Sequence, residues 1–336
     1  MKITFLIGNG FDINIGMKTR YSDFYNYYVK TESKNDLIKT LKENLNNNHE
    51  NWADLELAFG EYTENLKTID EFDIVFDDLR EKLSEYIKLE EDKYDFSTFA
   101  LDEIYEDLVY PEKHLLLGDR QIIEDYKSNW NSVEWMINIV SFNYSTALEK
   151  LLKYDDERIL FHEQSDKIRA SSLYLVKHIH GYTHKEMVLG VNDISQIKNE
   201  KLKSNPDILT GLVKPECNKA YKHLNDSTCL SLIKTSNLIC LFGLSIGDTD
   251  KIWWETIGKV VNENTNSRLI IFMRGNDLPA NQEYKKIRKE RLIKDYFLSK
   301  TNLTDKQKED IKEKIFISYN SNIFNVKVKQ NEKRGL

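Results

Sequence analysis

The sequence predicts an α/β fold, a mostly parallel sheet covered by helices on both faces and carrying a large helical insertion. Three observations predict it. The chain opens on an apolar run, Lys2 to Ile7, that leads into Gly8-Asn9-Gly10 and then a helix. Strand, glycine turn and helix N-terminus form the first unit of a Rossmann-type nucleotide-binding domain. After residue 136, strand-like runs alternate with helical stretches, as parallel strands joined by crossover helices do. From Ser22 to Trp135, glycine is scarce and helical periodicity takes over. Residues 1–21 and 136–336 are therefore expected to form the Rossmann-like core, and residues 22–135 a mostly helical insertion.

Within the insertion, Trp52, Leu55, Phe59, Tyr62 and Leu66 recur at helical spacing and mark one apolar helix face. Phe72, Val75, Phe76, Leu79, Leu83 and Tyr86 mark a second, and Leu37, Leu41 and Leu45 a third. Residues 61–110 hold 17 acidic and 5 basic side chains, which reads as the solvated face of amphipathic helices rather than a partner surface. In the core, strands are expected at Ile137–Phe142, Arg158–Phe161, Leu173–Ile179, Met187–Leu189, Leu238–Phe242, Leu269–Met273 and Ile315–Tyr319. Helices are expected at Ser145–Lys153, Cys217–Ser236 and Asp250–Asn262 and between Glu283 and Lys314, followed by a polar, frayed tail after Val328.

Composition excludes several function classes. The 336 residues carry a formal net charge of −7 and no basic block, a poor basis for general nucleic-acid binding. No apolar run reaches the roughly 18–20 residues of a membrane helix, and Ile3 to Ile7 is too short for a secretory signal. Cys217, Cys229 and Cys240 lack metal-ligand spacing, so neither a disulfide framework nor a zinc site is expected, and a cytoplasmic location fits.

Four motifs follow apolar strands, and in open α/β sheets the ligand crevice lies beyond the carboxyl ends of the strands. Gly8-Asn9-Gly10-Phe11-Asp12 suits a pyrophosphate turn, although Ile13 replaces the third glycine of a full fingerprint; a plain tight turn fits as well. Asn143, after Ser141-Phe142, offers donors and an acceptor to the crevice, or caps the next helix. His178 and His180 of His178-Ile179-His180-Gly181 are expected on one strand face, and His180 suits proton transfer; the alternative is a satisfied core histidine. Gly243-Leu244-Ser245-Ile246-Gly247-Asp248 ends in a hydroxyl and a carboxylate able to cap a helix or meet a ribose hydroxyl. Trp253 and Trp254 read as core. Glu56, in Trp52-Ala53-Asp54-Leu55-Glu56, is a further candidate or simply an exposed helix acid.

Taken in order, Gly8-Asn9-Gly10-Phe11-Asp12, Thr19-Arg20-Tyr21-Ser22-Asp23-Phe24, Trp52-Ala53-Asp54-Leu55-Glu56, Ser141-Phe142-Asn143-Tyr144, His178-Ile179-His180-Gly181, Leu189-Gly190-Val191-Asn192-Asp193 and Gly243-Leu244-Ser245-Ile246-Gly247-Asp248 resemble the motifs of the AbiH family of abortive-infection proteins. That family is distantly similar to sirtuins and to sirtuin-like antiphage effectors. The resemblance implies a sirtuin-like Rossmann-type fold, with phosphates at Gly8, Asn9, Gly10 and Phe11 and the adenosine end at Gly243, Ser245 and Asp248. On that reading Asn143 is expected to orient the ribose or the attacking water, His180 to act as base or bond a ribose hydroxyl, and Asp12 or Glu56 to stabilise the developing cation. Ser145 stands where the effectors usually have Asp, and Asp12 where sirtuins have Ser. The zinc-binding cysteines of deacetylating sirtuins are absent, which turns expectation from deacylation toward bare cleavage of the dinucleotide.

The leading expectation is an antiphage effector that hydrolyses NAD at the nicotinamide–ribose bond, with NAD as substrate or ligand and no metal. The alternatives are a module that senses NAD or a related nucleotide without cleaving it, and a metal-dependent nuclease or nucleotide phosphohydrolase built on Asp12, Asp23, Glu56 and Asp193. The resemblance further implies a phage-derived activator and a homo-oligomer; charge and hydropathy speak against a membrane or nucleic acid as partner.

Overall fold

The computed structural model describes residues 1–97, 101–163, 165, 169–276, 283–326 and 329–330. Lys2–Ile7 (β1) is the central strand of a seven-stranded sheet. Tyr94–Asp95 (β2) lies outside that sheet. The others are Trp135–Ser141 (β3), Ile159–His162 (β4), Ser171–His178 (β5), Leu238–Phe242 (β6), Arg268–Met273 (β7) and Ile315–Tyr319 (β8), in the order β4-β5-β3-β1-β6-β7-β8. All pairings are parallel except β4 with β5 at one edge. Lys329–Gln330 (β9) pairs with β2 in a separate two-stranded ribbon; the rest of the tail beyond Val328 lies outside the described residues.

The apolar strands are buried on both faces. Ile3, Phe5 and Ile7 share one face with Ile137, Ile139 and Leu173, under helices that contribute Leu108, Ile123 and Leu148. Leu6, Val140, Ile239 and Leu241 share the other with Cys229, Trp254, Ile257 and Phe297. Period-2 alternation along each strand sends neighbouring residues to opposite layers. Trp253 and Trp254 are core residues, 3% and 1% exposed. All three cysteines are buried and free. Among the described residues no helix is long and apolar enough to cross a membrane.

A third cluster is helical. Helices Tyr21–Tyr28, Asp36–Asn47, Leu55–Tyr62 and Ile69–Glu91 bury the three predicted stripes against one another. The Trp52–Leu66 stripe is not one long helix: Asp54 accepts from the amides of Glu56 and Leu57 at 3.1 Å and starts a fresh helix there. The helical unit differs from the expected block 22–135 in two ways. Ile104, Leu108, Ile123 and Tyr126 pack onto the sheet, whereas Met187, Leu189, Val191, Ile208 and Leu212, from beyond β5, join the helical cluster. Helical periodicity shows that a face is apolar, not which layer it meets. Met187–Leu189 is correspondingly no strand; its side chains fill the helical core.

The chain leaves β1 toward β3 on one side, while β6 leads to β7 on the other. The topological switch point, where ligands bind in such sheets, is therefore at the carboxyl ends of β1 and β6.

Candidate functional site

At the switch point two backbones touch. The amide of Gly8 donates to Phe242 O, and that of Gly10 to Gly243 O, both at 2.9 Å. A Cβ on Gly10 would sit 2.4 Å from the Gly243 Cα, and Gly243 itself has φ +67°. Only glycine fits either position. Above this contact lies a cavity of about 990 Å³, at the upper end of the usual size of a small-molecule site. It extends from Asn143 past the tips of β1 and β6 to Met273 at the end of β7, Arg274 just after it and Asn320 just after β8, and the helical unit contributes Tyr21, Trp52, Asp54 and Glu56 to its wall.

Two polar groups stand out, one in the wall and one reaching from the wall to the side chains behind it. Asp12, one residue past Phe11, is 2% exposed. Asn143 Nδ2 donates to its Oδ1 at 3.0 Å and Ser145 Oγ to its Oδ2 at 2.6 Å. Burial pushes the Asp12 carboxyl up to about 7, against the two hydrogen bonds that favour its charged form. Ser145 and Asp12, the two departures from the sirtuin-like pattern, are thus bonded partners. Asn143 lines the cavity, and its own Oδ1 is buried with no partner among the described residues.

The second group is a buried chain of charges. His180 Nε2 lies 3.0 Å from Asp250 Oδ1, and Lys214 Nζ donates to Asp250 Oδ1 at 3.0 Å and to Glu56 Oε2 at 2.8 Å. Tyr144 O–H donates to Glu56 Oε1 at 3.0 Å. One lysine cannot neutralise two carboxylates in a dry site. Asp250, facing Lys214 and His180, is held well below the usual carboxylate range, while burial raises Glu56 to about 7. Burial and the Lys214 charge lower the His180 pKa and favour the neutral ring; its Nδ1 has no partner among the described residues.

The structure distributes the predicted residues unevenly. Gly8, Asn9, Gly10, Asp12, Glu56, Asn143, Gly243 and Ser245 line the cavity. The amides of Gly8 and Gly10 are engaged by the end of β6 and that of Phe11 by Gly8 O, and the Asn9 side chain holds Thr19 through bonds of 2.7 and 2.5 Å. Phe11 is fully buried in the sheet core against Phe324. Asp248 turns outward to Lys300 at 2.8 Å with its side chain 59% exposed. His180 is not part of the wall but sits behind it, beside Phe142, Tyr144 and Asp250. His178 and His180 do not act as a pair: β5 ends at His178, and Gly181 at φ +68° turns the chain away. His178 is pinned between Asn143 O at 2.7 Å and Glu149 at 2.5 Å, a satisfied core histidine that fixes the Asn143 backbone.

Sequence reasoning missed Lys214 and Asp250. Lys214 opens a polar helix, Lys214-Pro215-Glu216, as a surface lysine would, and Asp250 lies two residues past the Gly243–Asp248 motif. The four acids of the metal alternative do not gather: Asp23 accepts from the Arg20 amide and Asp193 from the Ser195 amide. Among the described residues no group of three or more His, Cys, Asp or Glu is disposed to hold a metal ion.

No curated protein matches the chain. A family model described as bacteriophage abortive infection AbiH matches residues 4–272, a span that includes every element of the cavity wall up to Phe272. The chain belongs to the AbiH family, and its role is antiphage abortive infection.

Proposed function

We propose that the protein hydrolyses NAD at the nicotinamide–ribose bond within the switch-point cavity. The observation that supports this best is Asn143: a buried amide in the cavity wall that donates to Asp12 and leaves its own Oδ1 unpaired. An unpaired buried acceptor costs about 1–3 kcal/mol, and a donor from a ligand restores it. A ribose hydroxyl or a water is such a donor. The attacking water forms its bond to the ribose anomeric carbon as the bond to nicotinamide breaks. The bonding pair leaves with the nicotinamide nitrogen, and the water's proton passes to ionised Asp12. Carboxylates of Asp54, Glu56 and Asp250 in the same wall favour the positive charge that develops on the ribose. His180 is a positioning residue in this scheme, acting through Asp250.

Purified protein is expected to release nicotinamide and ADP-ribose from NAD. Asn143→Ala is expected to lower turnover about a hundredfold or more, and His180→Ala to lower it less while the fold survives. One observation favours a second reading. Asp12 is already bonded to Ser145 and Asn143 and holds its proton up to about pH 7, which suits a site that binds without cleaving. NAD binding by calorimetry with no nicotinamide release selects the sensing module; a protein that neither binds nor cleaves NAD overturns both.

A further inference from the structure

The expected phosphate cradle has a charge problem. Three amides of the glycine turn, those of Gly8, Gly10 and Phe11, are engaged by Phe242, Gly243 and Gly8 carbonyls, and the Asn9 side chain holds Thr19. The wall also carries the acids Asp12, Asp54, Glu56 and Asp250. A ligand with two bridging phosphates therefore needs cations from elsewhere. Two arginines line the cavity, Arg20 and Arg274.

Their placement is tied to the turn from both sides. Arg20 follows Thr19, whose hydroxyl donates to Asn9 Oδ1 at 2.5 Å and whose carbonyl accepts from Asn9 Nδ2 at 2.7 Å. Arg274 follows β7, and its Nη1 donates to Asn14 Oδ1 at 3.0 Å; Asn14 Nδ2 in turn donates to Phe324 O. The segment 9–14 thus carries one arginine at each end. Neither guanidinium forms an ion pair among the described residues, whereas Asp23, the acid nearest Arg20 in sequence, accepts from the Arg20 backbone amide at 3.2 Å. Both residues are exposed at the rim. Arg274 uses one Nη1 donor on Asn14, and its remaining donors, like the guanidinium of Arg20, suit a planar two-pronged contact with phosphate oxygens.

We propose that Arg20 and Arg274 clamp the bridging phosphates of the ligand across the glycine turn, so that this site selects phosphoanhydride-linked nucleotides by side-chain cations rather than by turn amides. The inference rests on the reading of the cavity as a dinucleotide site, but it concerns binding and not cleavage.

Calorimetry of the full chain with ADP-ribose and with adenosine tests it. Arg20→Gln and Arg274→Gln are each expected to weaken ADP-ribose binding roughly tenfold, with a loss that shrinks at high salt. Adenosine binding is expected to stay unchanged, and Lys at either position to restore part of the loss. ADP-ribose and adenosine weakening in parallel, ADP-ribose binding as in the wild type, or wild type that ignores ADP-ribose, overturns the clamp. NAD cleavage measured on the same samples separates the two readings. Arginine-dependent ADP-ribose binding without NAD cleavage keeps the clamp and removes the hydrolase. NAD cleavage whose KM is untouched by both substitutions removes the clamp and keeps the hydrolase.

Discussion

Gly10 and Gly243, 233 positions apart in the chain, meet backbone to backbone at the switch point: Gly10 N donates to Gly243 O at 2.9 Å, with no room for a Cβ on either residue. A methyl on Gly10 would press on the Gly243 Cα at 2.4 Å, and one on Gly243 on the Gly10 Cα at 2.7 Å. Gly243 also has φ +67°, where a side chain costs about 1–2 kcal/mol. Gly10→Ala and Gly243→Ala are each expected to lower stability by about 2–4 kcal/mol in urea unfolding. Gly118 in the helix Leu117–Ser128 has nothing within 4 Å of a built Cβ, so Gly118→Ala is expected to leave stability unchanged or raise it. Equal effects at all three positions would show that the contact is not what fixes the turn.

This contact explains how much was legible in advance. The glycines at 8, 10 and 243 were readable because each lies within three residues past the end of an apolar strand, and a strand end is a local signal. Asn143 was readable for the same reason. The partner of His180 was not: Asp250 was passed over in favour of Asp248, two residues away on the same turn, and only the direction of that turn decides which acid points inward. Lys214 was invisible because a buried lysine looks like any surface lysine until its two carboxylates are in place. The division into layers was only partly readable, since Leu108 and Leu83 sit on similar amphipathic helices but bury against different partners.

Lys214 is 5% exposed and bridges Glu56 and Asp250. Removing one member of a buried ion cluster leaves charge without compensation, typically at 3–5 kcal/mol. Lys214→Met is expected to destabilise by that order, and more at pH 8 than at pH 5. Without the lysine the folded-state pKa values of Glu56 and Asp250 rise, so the folded form is penalised as pH climbs above the ordinary carboxylate range. Unfolding at both pH values checks the sign; a loss that is larger at pH 5 contradicts the assignment of charge.

Asp12 gives a second pH signature. Its folded-state pKa of about 7 lies above its ordinary value, so the folded state holds the proton longer than the unfolded one. Its contribution is fully present below about pH 4, falls as pH rises, and is gone above about 7. Asp12→Asn removes that dependence. The stability of Asp12→Asn minus that of wild type is expected to rise between pH 4 and 7, by up to about 1.4 kcal/mol per pH unit, and to level off above it. A flat difference across this window would place an ionised Asp12 in the fold throughout. NAD turnover, if Asp12 takes the proton of water, is expected to rise over the same window as Asp12 ionises.

A second buried lysine, Lys127, tests packing away from the cavity. Its ammonium donates to both Glu112 carboxylate oxygens at 2.6 and 2.8 Å and to Val109 O at 2.8 Å, and it lies 4.4 Å from the Trp135 ring centroid and 4.9 Å from that of Tyr110. Lys127 is 2% and Glu112 3% exposed, so neither has water to replace its partner. Lys127→Met alone strands a buried carboxylate and is expected to cost about 3–5 kcal/mol, as is Glu112→Met, which strands the ammonium. The double variant removes both charges and is expected to cost less than the sum of the singles by 2 kcal/mol or more, because apolar side chains of similar volume fill the space between Tyr110 and Trp135. Neither residue lines the cavity, so ligand affinity is expected to be unchanged in all three variants at temperatures where they remain folded. Additive single effects would mean that the two charges are stabilised separately, the lysine by the aromatic faces and Val109 O, the glutamate by its surroundings.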